Sequence, residues 1–220
     1  MGKTQYVVIG LGRFGTSVAK TLYSLGNDIL AIDKEEDMVQ EISESDTHAV
    51  QLDATDENSL RSIGIKNFDV AVVTIGSNIQ ASTMVTLLLK EMGVGYIVAK
   101  AQNELHAKVL YKIGADRVVL PEKDMGVRVA HNLLSANILD YIELSPDYSI
   151  AEMVVPKEWK GKSLKELDIR AKYGINIMAI KKGEKVKVAP AGEDSIEEGD
   201  IIVAIGSSDK LNKIENMTRE

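Results

Sequence analysis

One hexapeptide constrains this chain more than any other feature. Gly10-Leu-Gly12-Arg-Phe-Gly15 follows the apolar run Tyr6-Val-Val-Ile and opens an amphipathic stretch that closes at Gly26. A G-x-G-x-x-G loop between a strand and a helix makes a tight turn and lets backbone approach a pyrophosphate. The helix end behind it supplies free N–H groups and a positive dipole. Asp33 ends the next apolar run, 18 residues beyond Gly15. An acid at that point accepts hydrogen bonds from ribose hydroxyls and repels a 2′-phosphate, which disfavours NADP. Arg13 and Phe14 lie inside the loop, and Arg13 is placed to pair with phosphates.

The pattern around the loop predicts the fold. Apolar runs at 6–10, 29–32, 49–52, 70–75, 97–101 and 118–120 alternate with helical stretches at 15–25, 34–43, 57–63, 79–92 and 104–113. Strands apolar on both faces, separated by helices, indicate an α/β fold: a Rossmann-type parallel six-stranded sheet covered on both sides. Glycines 26, 64 and 114 close three of the helices. The pattern then changes. Residues 124–142 give no strand signal and read as one helix or two in series, with a break near Ser135. Beyond it, runs at 149–155, 175–180, 186–189 and 201–205 read as strands, with Lys-Lys-Gly-Glu at 181–184 marking a hairpin. Ser163 caps a short helix from Leu164, and 210–217 reads as a last helix. The expected organisation is a nucleotide-binding Rossmann domain over 1–122, a helical crossover and dimerisation segment over 123–144, and a small α/β ligand-binding domain over 145–220.

In an open α/β sheet a ligand lies at the carboxyl ends of the strands. Asp53-Ala54-Thr55 follows strand three. Asp53 is placed to accept from an adenine amino group and Thr55 to cap the next helix; both as caps is an equal alternative. Gly76-Ser77-Asn78 follows strand four, where Gly76 allows close approach and Ser77 or Asn78 caps. Lys100, ending strand five, adds positive charge or is simply solvated. Glu122 and Asp124, past strand six, either hold a divalent cation (Mg²⁺ or Ca²⁺) with nucleotide phosphates or are acids stabilising a helix start.

Composition narrows the function. The formal net charge is −7 and the basic residues are scattered, which gives nucleic-acid binding little electrostatic support. There is no cysteine, so thiol catalysis and Cys-based metal sites are excluded. The first residues lack the apolar core of a signal peptide, and no stretch approaches the roughly 20 apolar residues of a spanning helix. Direct membrane insertion is not expected, and the cytoplasm is the expected compartment. A small NAD-dependent oxidoreductase is the alternative function. It needs an acid or base beside the hydride carbon. His48 lies at the wrong end of its strand, and His106 and His131 read as ordinary surface or core residues of helices.

The hexapeptide, Asp33, Asp53-Ala-Thr, Ala99-Lys-Ala-Gln-Asn, Lys112-Ile-Gly-Ala-Asp-Arg117, Pro121-Glu-Lys-Asp-Met-Gly126 and, later, Arg170-Ala-Lys-Tyr-Gly174 together resemble the RCK (KTN/TrkA) regulators of potassium transport. The likeness runs over nearly the whole chain and is greatest to the cytosolic Ktr-type subunits. It implies two domains joined by a helical crossover, and dimers assembled into an octameric ring. It also implies a separate membrane subunit that conducts K⁺, with which the chain associates at the membrane surface. ATP or ADP, and sometimes NAD or NADH, would set the ring's conformation, and no catalysis is implied. Met125, Val129, Leu133 and Leu134 form an apolar stripe suited to assembly.

In Ktr-type proteins the C-terminal domain can also bind cyclic di-AMP. Here Arg170 is suited to a phosphate and Asn176 to an adenine edge or a phosphate. Ile169 and Ile177 would wall the bases, with Pro190 on the nearby hairpin. An Arg170 salt bridge and two core isoleucines are the competing reading of the same residues.

Overall fold

Why the first half folds as predicted is visible in its burial. The computed structural model describes residues 4–44, 48–134 and 138–217. Strands β1 (Gln5–Ile9), β2 (Asp28–Asp33), β3 (His48–Gln51), β4 (Val70–Val73), β5 (Tyr96–Lys100) and β6 (Arg117–Val119) alternate with helices α1 (Arg13–Ser24), α2 (Glu36–Ser43), α3 (Glu57–Ser62), α4 (Ile79–Glu91) and α5 (Glu104–Lys112). All pairings are parallel, in the order β3-β2-β1-β4-β5-β6. Parallel strands are buried on both faces, so two apolar layers form. Val7, Ile9, Val73, Ile97 and Leu110 lie in one; Val8, Leu11, Ile29, Ala31 and Ile42 lie in the other. Each buried Val, Leu or Ile side chain contributes roughly 1.5–3 kcal/mol. The strand order reverses between β1 and β4, which opens a crevice at their carboxyl ends. A short 3₁₀ turn, Ile65–Asn67, was not foreseen.

The chain divides into two units, Met1–Glu122 and Lys123–Glu220, each with its own core. Helix α6 (Pro121–Leu134) opens the second part. Strands β7 (Ile138–Ser145), β8 (Tyr148–Val154), β9 (Asn176–Lys182), β10 (Lys185–Val188) and β11 (Ile201–Ser207) form an antiparallel sheet in the order β10-β9-β11-β8-β7. Helices α7 (Leu164–Leu167), α8 (Ile169–Tyr173) and α9 (Ser208–Met217) complete it. Its core gathers Met153, Trp159, Ile175, Ile180, Ile202, Leu211 and Ile214. Ser163 caps α7 through a full capping box with Glu166, as the sequence predicts.

One expectation fails here. Residues 138–142 are strand, inside the segment read as helical; the break expected at Ser135 lies outside the described residues. Two register shifts interrupt β7, so its apolar residues do not alternate cleanly. Tyr141 is buried while Ile142 and Leu144 stay half exposed. The missed signal is Pro146-Asp147, the two-residue link between Ser145 and Tyr148, which are paired across the strands.

Candidate nucleotide site

The three glycines of the loop are required for different reasons. Gly10 has φ +100°, and a Cβ there would lie 3.0 Å from the Ile75 nitrogen. A Cβ on Gly15 would lie 1.9 Å from the Gly10 carbonyl oxygen and 2.5 Å from Thr74 Oγ1. Both are glycines for the protein's own packing. Gly12 is not: its φ is −64°, and a Cβ there meets nothing within 4 Å. The space beside Gly12 is open where a pyrophosphate would approach.

Helix α1 carries the matching electrostatics. Gly12 is its N-cap without a side-chain hydrogen bond, and its first turn holds no acid. The other helices around this sheet are served. Helix α2 has Glu36 and Asp37 in its first turn, and Asp56, Asn78 and Asn103 cap α3, α4 and α5. The orphan N–H groups and positive dipole end of α1 are therefore left for an anion. Arg13 stands exposed on that first turn, with no ion-pair partner among the described residues.

Asp33 organises the loop from below. Its Oδ2 accepts the Leu11 N–H at 2.6 Å, and its Oδ1 accepts the Glu35 N–H at 3.0 Å. Each oxygen keeps a lone pair for a further donor. The Leu52 N–H donates to the Asp33 carbonyl, which brings the ends of β2 and β3 side by side. Asp53 then turns back on itself, accepting the Thr55 hydroxyl at 2.7 Å and the Thr55 N–H at 2.9 Å. These bonds, the hydroxyl first, hold its carboxyl below the usual carboxylate range. Ala54 is buried. Thr55 does not cap α3; Asp56 does, accepting from the Asn58 and Ser59 N–H groups, because it stands one residue before the first helical position. At the next strand end Asn78, not the exposed Ser77, caps α4.

Lys100 is not solvated. Its side chain is 13% exposed, and its Nζ reaches Glu122 Oε1 at 2.5 Å and lies 5.7 Å from the Phe14 ring centroid. A Cβ on Gly76 would stand 3.4 Å from the same ammonium. One cation thus joins the glycine loop, the β4 end, the β5 end and the start of α6. Its hydrogen bond draws the Glu122 carboxyl below its ordinary pKa, although Glu122 itself is 71% exposed. Among the described residues no group of three or more acids or histidines is arranged to hold a metal ion. A cation at Glu122 would need phosphate oxygens for its other ligands, and would have to displace Lys100.

Two residues escaped the sequence reading. Thr74, buried at the end of β4, donates to the carbonyls of Gly10 and Ile9 and locks the loop to the sheet. Its signal was available: it is the one polar residue in an apolar strand. Gln102 donates to the Gly76 carbonyl, and its own N–H reaches Nδ1 of the buried His106. Burial lowers the His106 pKa. His48 opens β3, and the side chain of His131 lies outside the described residues.

In the second unit the five candidate residues separate. Ile169 is 5% exposed and part of the core, and Ile177 packs partly buried against it. Arg170 and Asn176 are exposed, and no described residue pairs with Arg170. Pro190 is partly exposed and follows Ala189, whose φ is +50°. On α6, Met125, Val129 and Leu133 are exposed, Leu133 at 81%; the Leu134 side chain lies outside the described residues.

Comparison with known proteins decides the family. Residues 6–121 match the TrkA-N domain and residues 150–219 the TrkA-C domain. The chain belongs to the TrkA (RCK) family. It is 50% identical to the Ktr system potassium uptake protein C of Bacillus subtilis, over 97% of this chain and 96% of that one. Identity to the Ktr system potassium uptake protein A of the same organism is 49%, over 96% of each chain. The Vibrio alginolyticus protein A is 36% identical over 98% and 99%. Among solved structures, the GsuK RCK domain has a TM-score of 0.72 at 19% identity, over all of this chain and 48% of that one. The GsuK channel bound to NAD has a TM-score of 0.68 at 18% identity, over all of this chain and 40% of that one. At those identities the likeness is one of RCK fold, and this chain spans half or less of the GsuK chains.

Proposed function

We propose that this chain is the cytosolic, nucleotide-sensing subunit of a Ktr-type potassium uptake system, and that it regulates a separate membrane subunit without catalysing a reaction. The observation that carries the nucleotide reading is Gly12. It is a glycine that the protein's own packing does not require, at the mouth of a helix left uncapped. Similarity to Ktr potassium uptake proteins over nearly the whole chain supports the transport role. Among the described residues no helix is long and apolar enough to cross a membrane, so conduction belongs to a partner.

In this reading the hydroxyls of the ribose meet Asp33, the adenine lies by Asp53, and the phosphates meet the α1 N-terminus and Arg13. ATP and ADP, and NAD or NADH less directly, compete for the same cradle. A γ-phosphate, with or without a divalent cation, perturbs the Lys100–Glu122 pair and through it the start of α6. The exposed stripe on α6 supports assembly of dimers, and of the octameric ring, through that helix. The exposed, unpaired Arg170 with Asn176 supports a second ligand, cyclic di-AMP, whose two-fold symmetry suits a dimer; Ile169 contributes to it only if the core opens.

The test is K⁺ uptake into proteoliposomes holding a Ktr-type membrane subunit, with and without this chain. Flux should depend on the chain and differ between ATP and ADP. Equal flux in every condition would overturn the proposal.

A further inference from the structure

The second unit holds a pocket unrelated to either site above. It measures about 280 Å³, at the small end of ligand pockets, and lies between the β9–β10 hairpin and residues 194–195. Ile180, Lys182, Lys185, Val186, Lys187, Asp194 and Ser195 line it. Three of these seven are lysines, in a chain of net charge −7.

Their arrangement is unfavourable by itself. Lys185 pairs directly with Lys182 across the two strands, and like charges directly opposite one another are destabilising. Lys182 is answered by Asp200 at 3.2 Å and by the Ser195 carbonyl at 3.1 Å. Lys187 is answered by Asp194 at 2.5 Å. Lys185 has no counter-ion among the described residues. The far wall is fixed rather than loose. Asp194 accepts the Ala191 N–H and its carbonyl accepts the Leu164 N–H, while Gly192 accepts from Lys165. The chain enters this wall through Ala189, held at φ +50°, a conformation that is strained in a residue with a Cβ.

We infer that this pocket is an anion site for a small phosphate-bearing compound. The spare ammonium of Lys185 supplies the charge, and Lys182 and Lys187 supply donors already turned to the same side. A phosphate carries several acceptor oxygens and more than one negative charge, so it balances two lysines where a carboxylate brings a single charge. Buried Ile180 forms the floor of the pocket, and its lysine walls are exposed. The site shares no residue with the Arg170 and Asn176 set, and it stands whether or not the nucleotide reading holds.

Amine acetylation of the full chain, read lysine by lysine by mass spectrometry, tests it with inorganic pyrophosphate as the probe. Saturating pyrophosphate should slow labelling of Lys185 severalfold and of Lys182 and Lys187 to a lesser degree. Exposed Lys66 and Lys108 should label as before. Sodium chloride of equal ionic strength should not reproduce the effect. Lys185→Gln, a surface change that leaves the fold intact, should remove protection at Lys182 and Lys187. Unchanged labelling of Lys185, equal protection by chloride, or protection that survives in Lys185→Gln would each overturn the inference.

Discussion

The two units of this chain build their sites from different materials. In the first, the cradle is a glycine loop, one helix end and one aspartate, all drawn from residues 10–33 of the sequence. In the second, the candidate groups are side chains, and the fold does not gather them: Ile169 lies in the core while Arg170 and Asn176 stand exposed. A backbone site leaves a trace in residue type at fixed spacing. A side-chain site leaves only residues with ordinary structural alternatives, as Ile169 shows by lying in the core.

The sharpest way to break this contrast is to place methyl groups on the glycines. Gly15→Ala drives a Cβ into the Gly10 carbonyl oxygen and Thr74 Oγ1. It should lower the unfolding free energy by more than about 3 kcal/mol in a urea titration. Gly12→Ala should stay within about 0.5 kcal/mol of the parent, since nothing lies in its way. Equal costs at the two positions would mean that Gly12 also serves the fold. In the second unit, Gly206→Ala meets Ile175 Cγ2 at 2.7 Å, a side chain rather than backbone. Its cost should be smaller, about 1–3 kcal/mol.

Legibility follows the same division. All six parallel strands and their five helices were readable, because short apolar runs alternate with amphipathic stretches and glycines close three of the helices. Asp33 was readable for the same reason. The misread strand β7 exists because β8 pairs with it, and its bulges scramble the alternation that would have marked it. Cap assignment at the end of β3 slipped by one residue, since Asp53, Thr55 and Asp56 are all capping types and only φ/ψ decides among them. The role of Lys100 was open in the sequence because its partner Glu122 is 22 residues away.

Smaller effects sharpen the account of the second unit. Ala189→Gly should relieve the left-handed strain and raise stability by about 0.5–1 kcal/mol, after the greater freedom of glycine in the unfolded chain. A loss of stability would show that the φ of +50° is not strained. Smallest is the pair of Arg128 with Asp140, in which the guanidinium meets both carboxylate oxygens. Arg128 holds the Asp140 carboxyl below its ordinary value. The folded pKa is depressed, so the contribution is present above the unfolded value of about 3.9 and is lost as pH falls through the folded one. Both side chains are more than a third exposed, which keeps it under about 1 kcal/mol. Asp140→Asn should therefore be slightly less stable than the parent at neutral pH; the gap should begin to close near about pH 4 and vanish as pH falls through the lower folded value. A gap that persists in acid would assign the effect to packing.

The central claim is that Gly12 is kept open for a nucleotide, and Gly12→Asp tests it most directly. Isothermal titration of the full chain with ATP, ADP and NADH should show binding in the parent and none in the variant. Thermal unfolding without nucleotide should not be lowered in the variant, because the added side chain enters empty space beside the helix end and an aspartate suits an N-cap. Unchanged affinity in Gly12→Asp would contradict the account.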